Sequence, residues 1–225
     1  MLLPNLIGSV ILSKKLSLCL EKVFIDYHKI TINEFNFNTI ENNMEDRFKS
    51  ILITGCSSGI GLETTKALVA VGANVIIPAK RPEIANQNLD GVVSETNIIK
   101  MDLGNLNSVK NFTNSFKENF NTLDLLINNA GIMPLSLLKS GRVDEWDEMI
   151  DVNIKGVLYG TNAVFNYFMN QGFGKIINIS STAGKRVMPG SSVYSGTKFA
   201  VNAISEGARL ESTGIIQVTC IMPGA

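Results

Sequence analysis

The feature that most constrains the fold is a short apolar segment that runs directly into a glycine-rich turn. Residues 50–54, SILIT, have the length and β-branched content of a buried strand, and GCSSGIG follows at once. A helical pattern then begins at Leu62. Glycines at these spacings also suit a turn without a ligand. In a strand–turn–helix context, however, Gly55, Gly59 and Gly61 allow close approach to a phosphate, so we expect the helix N-terminus to bind a pyrophosphate.

A regular alternation of predicted strands and helices continues along the chain. Residues 145–159 are predicted to form one long helix, and residues 83–97 a short helix or an irregular crossover. Strands that alternate with helices form a parallel sheet covered on both faces. We therefore expect an α/β fold, a Rossmann-type doubly wound parallel sheet in three α/β/α layers, and the 225 residues suffice for a single domain. The further predicted strands are 75–78, 98–101, 123–127, 176–179 and 215–221.

The end of the second predicted strand bears on the choice of dinucleotide. In dinucleotide-binding folds an acid at this position accepts hydrogen bonds from the ribose 2′-hydroxyl of NAD, and it would repel the 2′-phosphate of NADP. The sequence here is Ala79-Lys80-Arg81, with no acid and two cations. We expect Lys80 and Arg81 to bind the 2′-phosphate, which favours NADP over NAD. The alternative is a solvated basic turn.

Two further strand ends carry candidate ligand-binding residues. Asp102 and Leu103 end the third strand. Asp102 could accept a hydrogen bond from the adenine amine, cap the helix that begins near Asn105, or do both. Residues 128–131, NNAG, follow the fourth strand. Because open α/β sheets bind ligands at the carboxyl ends of their strands, we expect these residues to line the same edge as the glycine-rich turn.

The segment 175–200 carries the residues with the clearest chemistry. Tyr194 and Lys198 are four residues apart on a predicted helix, so their side chains lie one turn apart on one face. A tyrosine hydroxyl has a pKa of about 10 in water, and a nearby ammonium moves that pKa toward neutral. Ser181 could hydrogen-bond a substrate oxygen while Tyr194 exchanges its proton. The same short pattern also occurs around partly buried tyrosines without a chemical role.

Composition argues against several other classes of protein. Twenty basic and twenty acidic residues balance, so neither nucleic acid nor a membrane surface is expected as a partner. Three cysteines without C-x-x-C spacing indicate a reducing, cytoplasmic compartment, and with the single histidine, His28, they give no metal site. The longest uncharged N-terminal run, Met1 to Ser13, is too short to span a bilayer.

Two regions are expected along the chain. Residues 1–46 lack a clear helical or strand period and are predicted to be an N-terminal extension of unknown role. Met44, just before the first strand, is an alternative start. Residues 47–225 are predicted to form the dinucleotide-binding domain.

Six motifs occur in one order along the chain. They are Thr54-Gly55-x-x-x-Gly59-x-Gly61, Asn128-Asn129-Ala130-Gly131, Asn153, Ser181, Tyr194-x-x-x-Lys198 and Pro223-Gly224. Together they resemble the short-chain dehydrogenase/reductase family over residues 49–225. The second half, residues 147–211, is similar to the NADP-dependent 3-hydroxy-acid and serine dehydrogenase branch. Residues 76–133 look more like the retinol-dehydrogenase-like branch.

The resemblance implies hydride transfer between nicotinamide C4 and a carbonyl or alcohol carbon of a small alcohol, ketone or hydroxy acid. Tyr194 would be the general acid/base, and Ser181 would orient the substrate oxygen. Lys198 would lower the tyrosine pKa and bind the nicotinamide ribose, and Asn153 would hold a water in the proton relay. Ser181 is preferred to Ser180 because it lies at the family's usual separation from the tyrosine. The implied cofactor-binding residues are Gly55, Ser57, Ser58, Gly59, Ile60, Gly61, Lys80, Arg81, Asp102, Leu103, Asn129, Ala130, Gly131, Tyr194, Lys198, Pro223 and Gly224.

Two departures from the family pattern bear on activity. The N-terminal extension is not typical of the family. The family pattern also continues after Pro-Gly with a cofactor-contacting threonine, a substrate-covering segment and a last strand, so we expect a domain truncated at its C-terminus and lacking that strand. The helices around Asn153 and Tyr194, one of the family's main interfaces, are retained, which implies a homodimer or homotetramer.

Three functional classes stay open at this stage. The first is an active NADP-dependent oxidoreductase, and the second is a catalytically impaired fragment or a regulatory NADP-binding protein. The third is a structural Rossmann domain. Intact Ser181, Tyr194 and Lys198 favour the first over the third, because packing alone does not require that set of side chains.

Overall fold

The computed structural model describes residues 50–224, and within them six strands form one parallel sheet. The predicted N-terminal extension, residues 1–46, and the alternative start at Met44 lie outside the described residues. Each predicted strand is confirmed, with ends that differ by no more than two residues. The strands are β1 Ser50–Ile53, β2 Asn74–Ala79, β3 Ile98–Lys100, β4 Leu125–Asn128, β5 Gly174–Ile179 and β6 Ile216–Ile221.

The helices fill the crossovers between these strands. The region predicted as one helix over 145–159 differs from the prediction, because two α-helices there are joined by a π-helical segment, Asp151–Lys155. The crossover predicted over 83–97 contains a short α-helix and a 3₁₀ turn, Glu95–Asn97. The helices are α1 Gly59–Ala70, α2 Pro82–Leu89, α3 Leu106–Asn119, α4 Val143–Ile150, α5 Gly156–Gln171 and α6 Ser192–Glu211.

The sheet separates two apolar clusters, and the alternation of side chains along β1 supplies both. Ile51 and Ile53 belong to one cluster, with residues of α1 and α2, and Leu52 belongs to the other, with residues of α3 and α5. β1, β4 and β5 are buried along their whole length, as expected of parallel strands covered on both faces. The three-layer α/β/α prediction is confirmed.

The strand order is β3-β2-β1-β4-β5-β6, so the direction of winding reverses between β1 and β4. The register pairs Leu52 with Leu126 across β1 and β4, and Leu126 with Ile176 across β4 and β5. In open α/β sheets the crevice beyond the carboxyl ends of the strands at such a reversal binds ligands. The loops after β1, β4 and β5 therefore define where a functional site is expected.

Candidate active site

The loop after β1 packs directly on the loop after β4. A Cβ at Gly55 would lie 2.7 Å from Cα of Ala130, and a Cβ at Gly61 would lie 2.2 Å from the carbonyl oxygen of Gly55. Gly55 and Gly59 have φ angles of 72° and 59°, in the left-handed region that favours glycine. A sharp turn and close packing of the two loops therefore require glycine at these positions.

Thr54 links the two loops, and the sequence analysis did not single it out as a site residue. Its hydroxyl accepts hydrogen bonds from the backbone N–H groups of Asn129 and Ala130, at 3.1 and 3.0 Å. The Asn129 amide donates in return to the carbonyl oxygens of Thr54 and Gly55, at 2.9 and 3.1 Å. The sequence signals for this role were its position between β1 and the first glycine and its place at the start of the glycine motif.

The N-terminus of α1 has the properties of an anion site. Ser58 is the N-cap residue, in an extended conformation, and its side chain makes no capping hydrogen bond. The first N–H groups of a helix lack intrahelical acceptors and carry the positive end of its dipole. Ser58 and Gly59 are exposed, Ser57 and Ile60 are half-buried, and Gly61 is buried. This loop therefore leaves backbone donors available to a phosphate group.

Cys56, within the same loop, belongs to the core rather than to the site. Its thiol is buried and donates a hydrogen bond to the carbonyl oxygen of Ile53 at 3.1 Å. Burial raises the pKa of the Cys56 thiol to about 12, so the group stays protonated at neutral pH.

Lys80 and Asp102, predicted to contact different parts of the dinucleotide, form an ion pair with each other. Lys80 Nζ lies 3.1 Å from Asp102 Oδ2; the Lys80 side chain is 70% exposed and that of Asp102 is 38% exposed. Arg81 is exposed at the N-cap position of α2. Leu103 packs against Gly156, where a Cβ would lie 3.5 Å from its own.

The prediction that Asp102 caps α3 is wrong. Asn105 is the N-cap residue, and its side chain accepts from the N–H groups of Asn107 and Ser108 at 3.0 and 3.1 Å. Asp102 lies too far before the helix for that role, and its Oδ1 accepts from the N–H of Gly104 instead. The alternative contact with an adenine amine stays a prediction.

Asn153 lies in the π-helical segment and is buried. Its Oδ1 accepts from the N–H of Ile132, and its Nδ2 donates to the carbonyl of the same residue, both at 2.9 Å. Nδ2 also donates to the hydroxyl of Thr197 at 3.1 Å. Of the two alternatives for this mid-helix asparagine, solvent-facing or using its amide, the structure therefore has the second. π turns inside α-helices are often found at functional sites.

Tyr194 and Lys198 lie on α6 as their spacing predicts. Lys198 Nζ is 5.8 Å from the centre of the Tyr194 ring and donates a hydrogen bond to the carbonyl of Ile179 at 2.9 Å. A Cβ at Gly131 would lie 3.5 Å from Lys198 Nζ. Burial lowers the pKa of Lys198 to about 8, an effect that Cys220 partly opposes. The ammonium therefore stays charged at neutral pH while lying at the exits of β4 and β5.

The two adjacent serines after β5 have different surroundings. Ser180 is buried and donates its hydroxyl proton to the carbonyl oxygen of Lys198 at 3.1 Å. Ser181 is half-buried, and its hydroxyl accepts from the N–H of Ala183 at 3.1 Å. A hydroxyl has one proton and two lone pairs, so this bond leaves the Ser181 proton for another acceptor. The geometry favours Ser181 over Ser180 as a substrate contact.

Pro223 and Gly224 border the same region. The carbonyl oxygen of Pro223 accepts from the N–H of Thr182 at 3.0 Å, and a Cβ at Gly224 would lie 3.7 Å from Cγ2 of Thr182. The residues that follow β1, β4, β5 and β6 thus lie at one edge of the sheet. The glycine-rich turn, residues 128–131 and Ser181 are among them, and Tyr194 and Lys198 of α6 lie beside them. Within residues 50–224 no group of three His, Cys, Asp or Glu side chains is placed to hold a metal ion. In the same part of the chain no helix is long and apolar enough to cross a membrane.

Known proteins of similar sequence are oxidoreductases. An uncharacterized oxidoreductase of Staphylococcus saprophyticus is 45% identical over 188 residues, which cover 82% of this chain and 76% of the relative. An uncharacterized oxidoreductase of Listeria monocytogenes is 41% identical over 184 residues, covering 79% of this chain and 74% of the relative.

Solved structures of similar fold include dehydrogenases. Serine dehydrogenase from Escherichia coli superposes with a TM-score of 0.74 at 32% identity, over 78% of this chain and 82% of that one. Gluconate 5-dehydrogenase from Burkholderia cenocepacia, in complex with NADP and tartrate, gives 0.71 at 28% identity, over 79% and 71%. The family model described as short chain dehydrogenase matches residues 49–225. The chain therefore belongs to the short-chain dehydrogenase family and is an NAD(P)-dependent oxidoreductase.

Proposed function

We propose that this protein is an NADP-dependent oxidoreductase that transfers a hydride between nicotinamide and a hydroxyl or carbonyl carbon of a small substrate. The observation that carries the proposal is the position of Lys198. Its buried ammonium lies one helical turn from Tyr194, next to Gly131 at the exit of β4 and bonded to Ile179 at the exit of β5. The uncapped N-terminus of α1 opens at the same edge of the sheet.

Residues 55–61, called the phosphate loop below, fit the pyrophosphate of a dinucleotide. Ser58 and Gly59 are exposed at the start of a twelve-residue helix without a side-chain cap, and around Gly59 a Cβ would meet nothing within 4 Å. A pyrophosphate at this position would accept from the backbone N–H groups of the first helical turn. The bound nicotinamide would supply the hydride chemistry, and the protein would bind and orient it.

NADP is the dinucleotide that the adenosine end of the site favours. Lys80 and Arg81 directly follow β2, and the end of this strand carries no acidic residue that would repel a phosphate. A guanidinium and an ammonium are the groups that bind a phosphate monoester. The similar gluconate 5-dehydrogenase was crystallised with NADP, and a serine dehydrogenase of 31% identity was crystallised with NADP+.

We assign Tyr194 as the general acid/base and Ser181 as the group that orients the substrate oxygen. Ser181 keeps a proton for that oxygen, whereas the buried Ser180 does not. Lys198 would bind the nicotinamide ribose and supply positive charge beside Tyr194. Both amide protons of Asn153 go to protein acceptors, so we propose that the relay water binds to the backbone of the π segment.

The substrate we propose is a small alcohol, ketone or hydroxy acid. Serine dehydrogenase and gluconate 5-dehydrogenase, both similar in structure, are named for hydroxy acids. A homodimer or homotetramer is the proposed assembly, since α5 and α6 each present an exposed apolar side chain, Leu158 and Phe199.

The proposal is tested first by fluorescence titration of the purified chain with NADPH and NADH, followed by NADPH oxidation against a panel of small carbonyl compounds. We expect NADPH to bind more tightly than NADH, and we expect turnover with at least one carbonyl. Binding without turnover would indicate a dinucleotide-binding protein instead. Absence of binding would contradict the proposal outright.

Tyr194→Phe then separates chemistry from binding. We expect it to lower turnover by about 10²- to 10⁴-fold, the usual contribution of a general acid, with the NADPH Kd unchanged. Tyr167→Phe is the matched control, because Tyr167 lies on α5, outside the proposed site. Its hydroxyl donates a hydrogen bond only to the backbone carbonyl of Asn121, at 3.4 Å. A Tyr194→Phe variant as active as this control would rule out the proposed role.

A further inference from the structure

We propose that Thr197 is a positioning residue for this reaction, because its hydroxyl joins the buried Asn153 to the first turn of α6. The inference rests on the proposed function and adds a residue that the motif analysis left out. Thr197 lies between Tyr194 and Lys198 in the sequence, but its side chain faces the interior and is only 2% exposed.

The Thr197 hydroxyl makes two hydrogen bonds that run in opposite directions. It donates to the carbonyl oxygen of Tyr194 at 2.7 Å and accepts from Asn153 Nδ2 at 3.1 Å. A threonine hydroxyl has a single proton, so the first bond fixes its orientation and aims a lone pair at Asn153. The hydroxyl is therefore a bridge between α6 and the π segment.

The Asn153 side chain depends on this bridge. Its other two hydrogen bonds join it to the N–H and the carbonyl of Ile132. Both amide protons are thus used, one by Ile132 and one by Thr197, and the residue is 1% exposed. Removal of the Thr197 hydroxyl would leave a buried N–H without an acceptor, which the amide can relieve only by rotating away from Ile132.

Three segments of the site would lose their common anchor if that happened. Asn153 contacts the exit of β4 through Ile132 and contacts α6 through Thr197. Gly131 lies between Asn153 and Lys198, since a Cβ at Gly131 would be 3.3 Å from Asn153 Oδ1 and 3.5 Å from Lys198 Nζ. Thr197 therefore sets the position of Tyr194 and Lys198 relative to the β4 exit, against which the proposed nicotinamide lies.

A plain helical role explains only half of these contacts. Threonine hydroxyls in helices commonly bond a carbonyl three or four residues earlier, and the bond to Tyr194 is of that kind. Thr113 on α3 makes the same kind of bond, to the carbonyl of Val109 at 2.9 Å, with no second partner given by the structure. What distinguishes Thr197 is the bond from Asn153, a side chain 44 residues away in the sequence.

The test compares Thr197→Val, which keeps the shape but loses the hydroxyl, with Thr197→Ser, which keeps the hydroxyl. Thr113→Val is the matched control for loss of a helical hydroxyl away from the site. NADPH titration gives the Kd, and NADPH oxidation by diacetyl, a reactive dicarbonyl, gives kcat and KM. Thermal unfolding of each variant fixes a temperature at which all are folded.

We expect Thr197→Val to lower kcat by about 10- to 100-fold, the usual effect of a small misplacement of reacting groups. The NADPH Kd and the KM for diacetyl should stay within about twofold, because the groups that bind both molecules remain. Thr197→Ser should restore kcat, and Thr113→Val should match the unaltered chain. A Thr197→Val variant that loses stability but keeps its kcat would show a merely structural role and overturn the proposal.

A measurement without substrate keeps this test separate from that of the proposed function. Hydrogen–deuterium exchange of peptides covering residues 130–136 reports the N–H of Ile132, which Asn153 holds. We expect Thr197→Val, but neither Thr197→Ser nor Thr113→Val, to speed exchange there. If the unaltered chain binds no NADPH and oxidises none, the proposed function fails, and unchanged exchange in Thr197→Val would refute the bridge independently.

Discussion

Gly61→Ala tests the phosphate loop most sharply, because the structure leaves no room for a Cβ at that position. The added carbon would lie 2.2 Å from the carbonyl oxygen of Gly55 and 2.4 Å from Asn129 Nδ2. Contacts of a Cβ under 3.0 Å essentially do not occur, so the loop or the helix must move by roughly 0.8 Å. The obstacle is backbone on one side and a bonded amide on the other, and neither yields easily.

The expected loss of stability follows from three contributions. Overpacking at a buried site costs about 1–3 kcal/mol. Displacing the Asn129 amide from the carbonyls of Thr54 and Gly55 removes about 1 kcal/mol for each bond, and the better helix propensity of alanine returns about 1 kcal/mol. The free energy of unfolding should therefore fall by about 2–4 kcal/mol, which lowers Tm by about 4–16 °C in a domain of this size.

Dinucleotide binding should fall as well. Gly61 lies in the first turn of α1, and a shift of this turn misaligns N–H groups that the proposed pyrophosphate would accept from. One lost bond to a charged acceptor is about 1.5–3 kcal/mol, or about 10- to 100-fold in the NADPH Kd. The assays are thermal unfolding without ligand and fluorescence titration with NADPH.

Gly207→Ala is the control for replacing a helical glycine. A Cβ there meets only Glu211 Oε1, at 3.9 Å, so this variant should be as stable as the unaltered chain or more so. If Gly61→Ala matched Gly207→Ala in both Tm and NADPH Kd, the close packing of the loop would not constrain the site, and the reasoning would be refuted.

Two further predictions concern charge. Because the pKa of Lys198 is about 8 rather than 10.5, the folded protein loses this proton before the unfolded chain does, so stability rises with pH between those values. Urea unfolding at about pH 7.5 and about pH 9.5 should show a gain of about 2 kcal/mol, which should vanish in Lys198→Met. A difference between the two proteins that does not depend on pH would contradict the prediction. Asp102→Asn removes the carboxylate that pairs with Lys80 and faces the proposed 2′-phosphate. We expect the ratio of the NADPH Kd to the NADH Kd to fall by up to about fivefold at low salt, since any change at the adenine affects both dinucleotides equally. An unchanged ratio would show that Lys80 does not bind the phosphate.

The parts of the fold that the sequence predicts are those decided by burial. Residues 51–53 of β1 and 125–127 of β4 are buried on both faces of the sheet, so each appears in the sequence as a continuous apolar run. β5 is also buried along its length, although Lys175 and Asn178 interrupt its apolar residues. The clustering of site residues follows from topology, because parallel strands end at one edge. Ser181, Gly131 and the turn after Ile53 meet there although they are far apart in the chain.

The π segment could not be predicted in the same way. Asp151–Lys155 has the composition of an ordinary helix, and the π turn changes the hydrogen-bond pattern without changing which residue types fit. What holds it is tertiary, since Asn153 bonds Ile132 and Thr197. The Lys80–Asp102 ion pair, in contrast, could have been predicted from the sequence. β2 and β3 are neighbouring strands, and Lys80 and Asp102 follow the carboxyl ends of these two strands.

Buried polar side chains on β4 and β5, behind the site, form a chain of hydrogen bonds that reaches α6. Asn128 on β4 donates to Asn178 Oδ1 on β5 at 2.8 Å, and Asn178 donates to the Ser205 hydroxyl on α6 at 2.9 Å. The Ser205 hydroxyl in turn donates a hydrogen bond to the carbonyl oxygen of Val201. Apolar side chains in these positions would pack in several registers, whereas a buried chain of directional bonds fixes one. These bonds tie β4, β5 and α6 together just below the edge where Gly131, Ser181 and Lys198 must meet. The sequence departs from an apolar core where the site needs its strands and helix held in one arrangement.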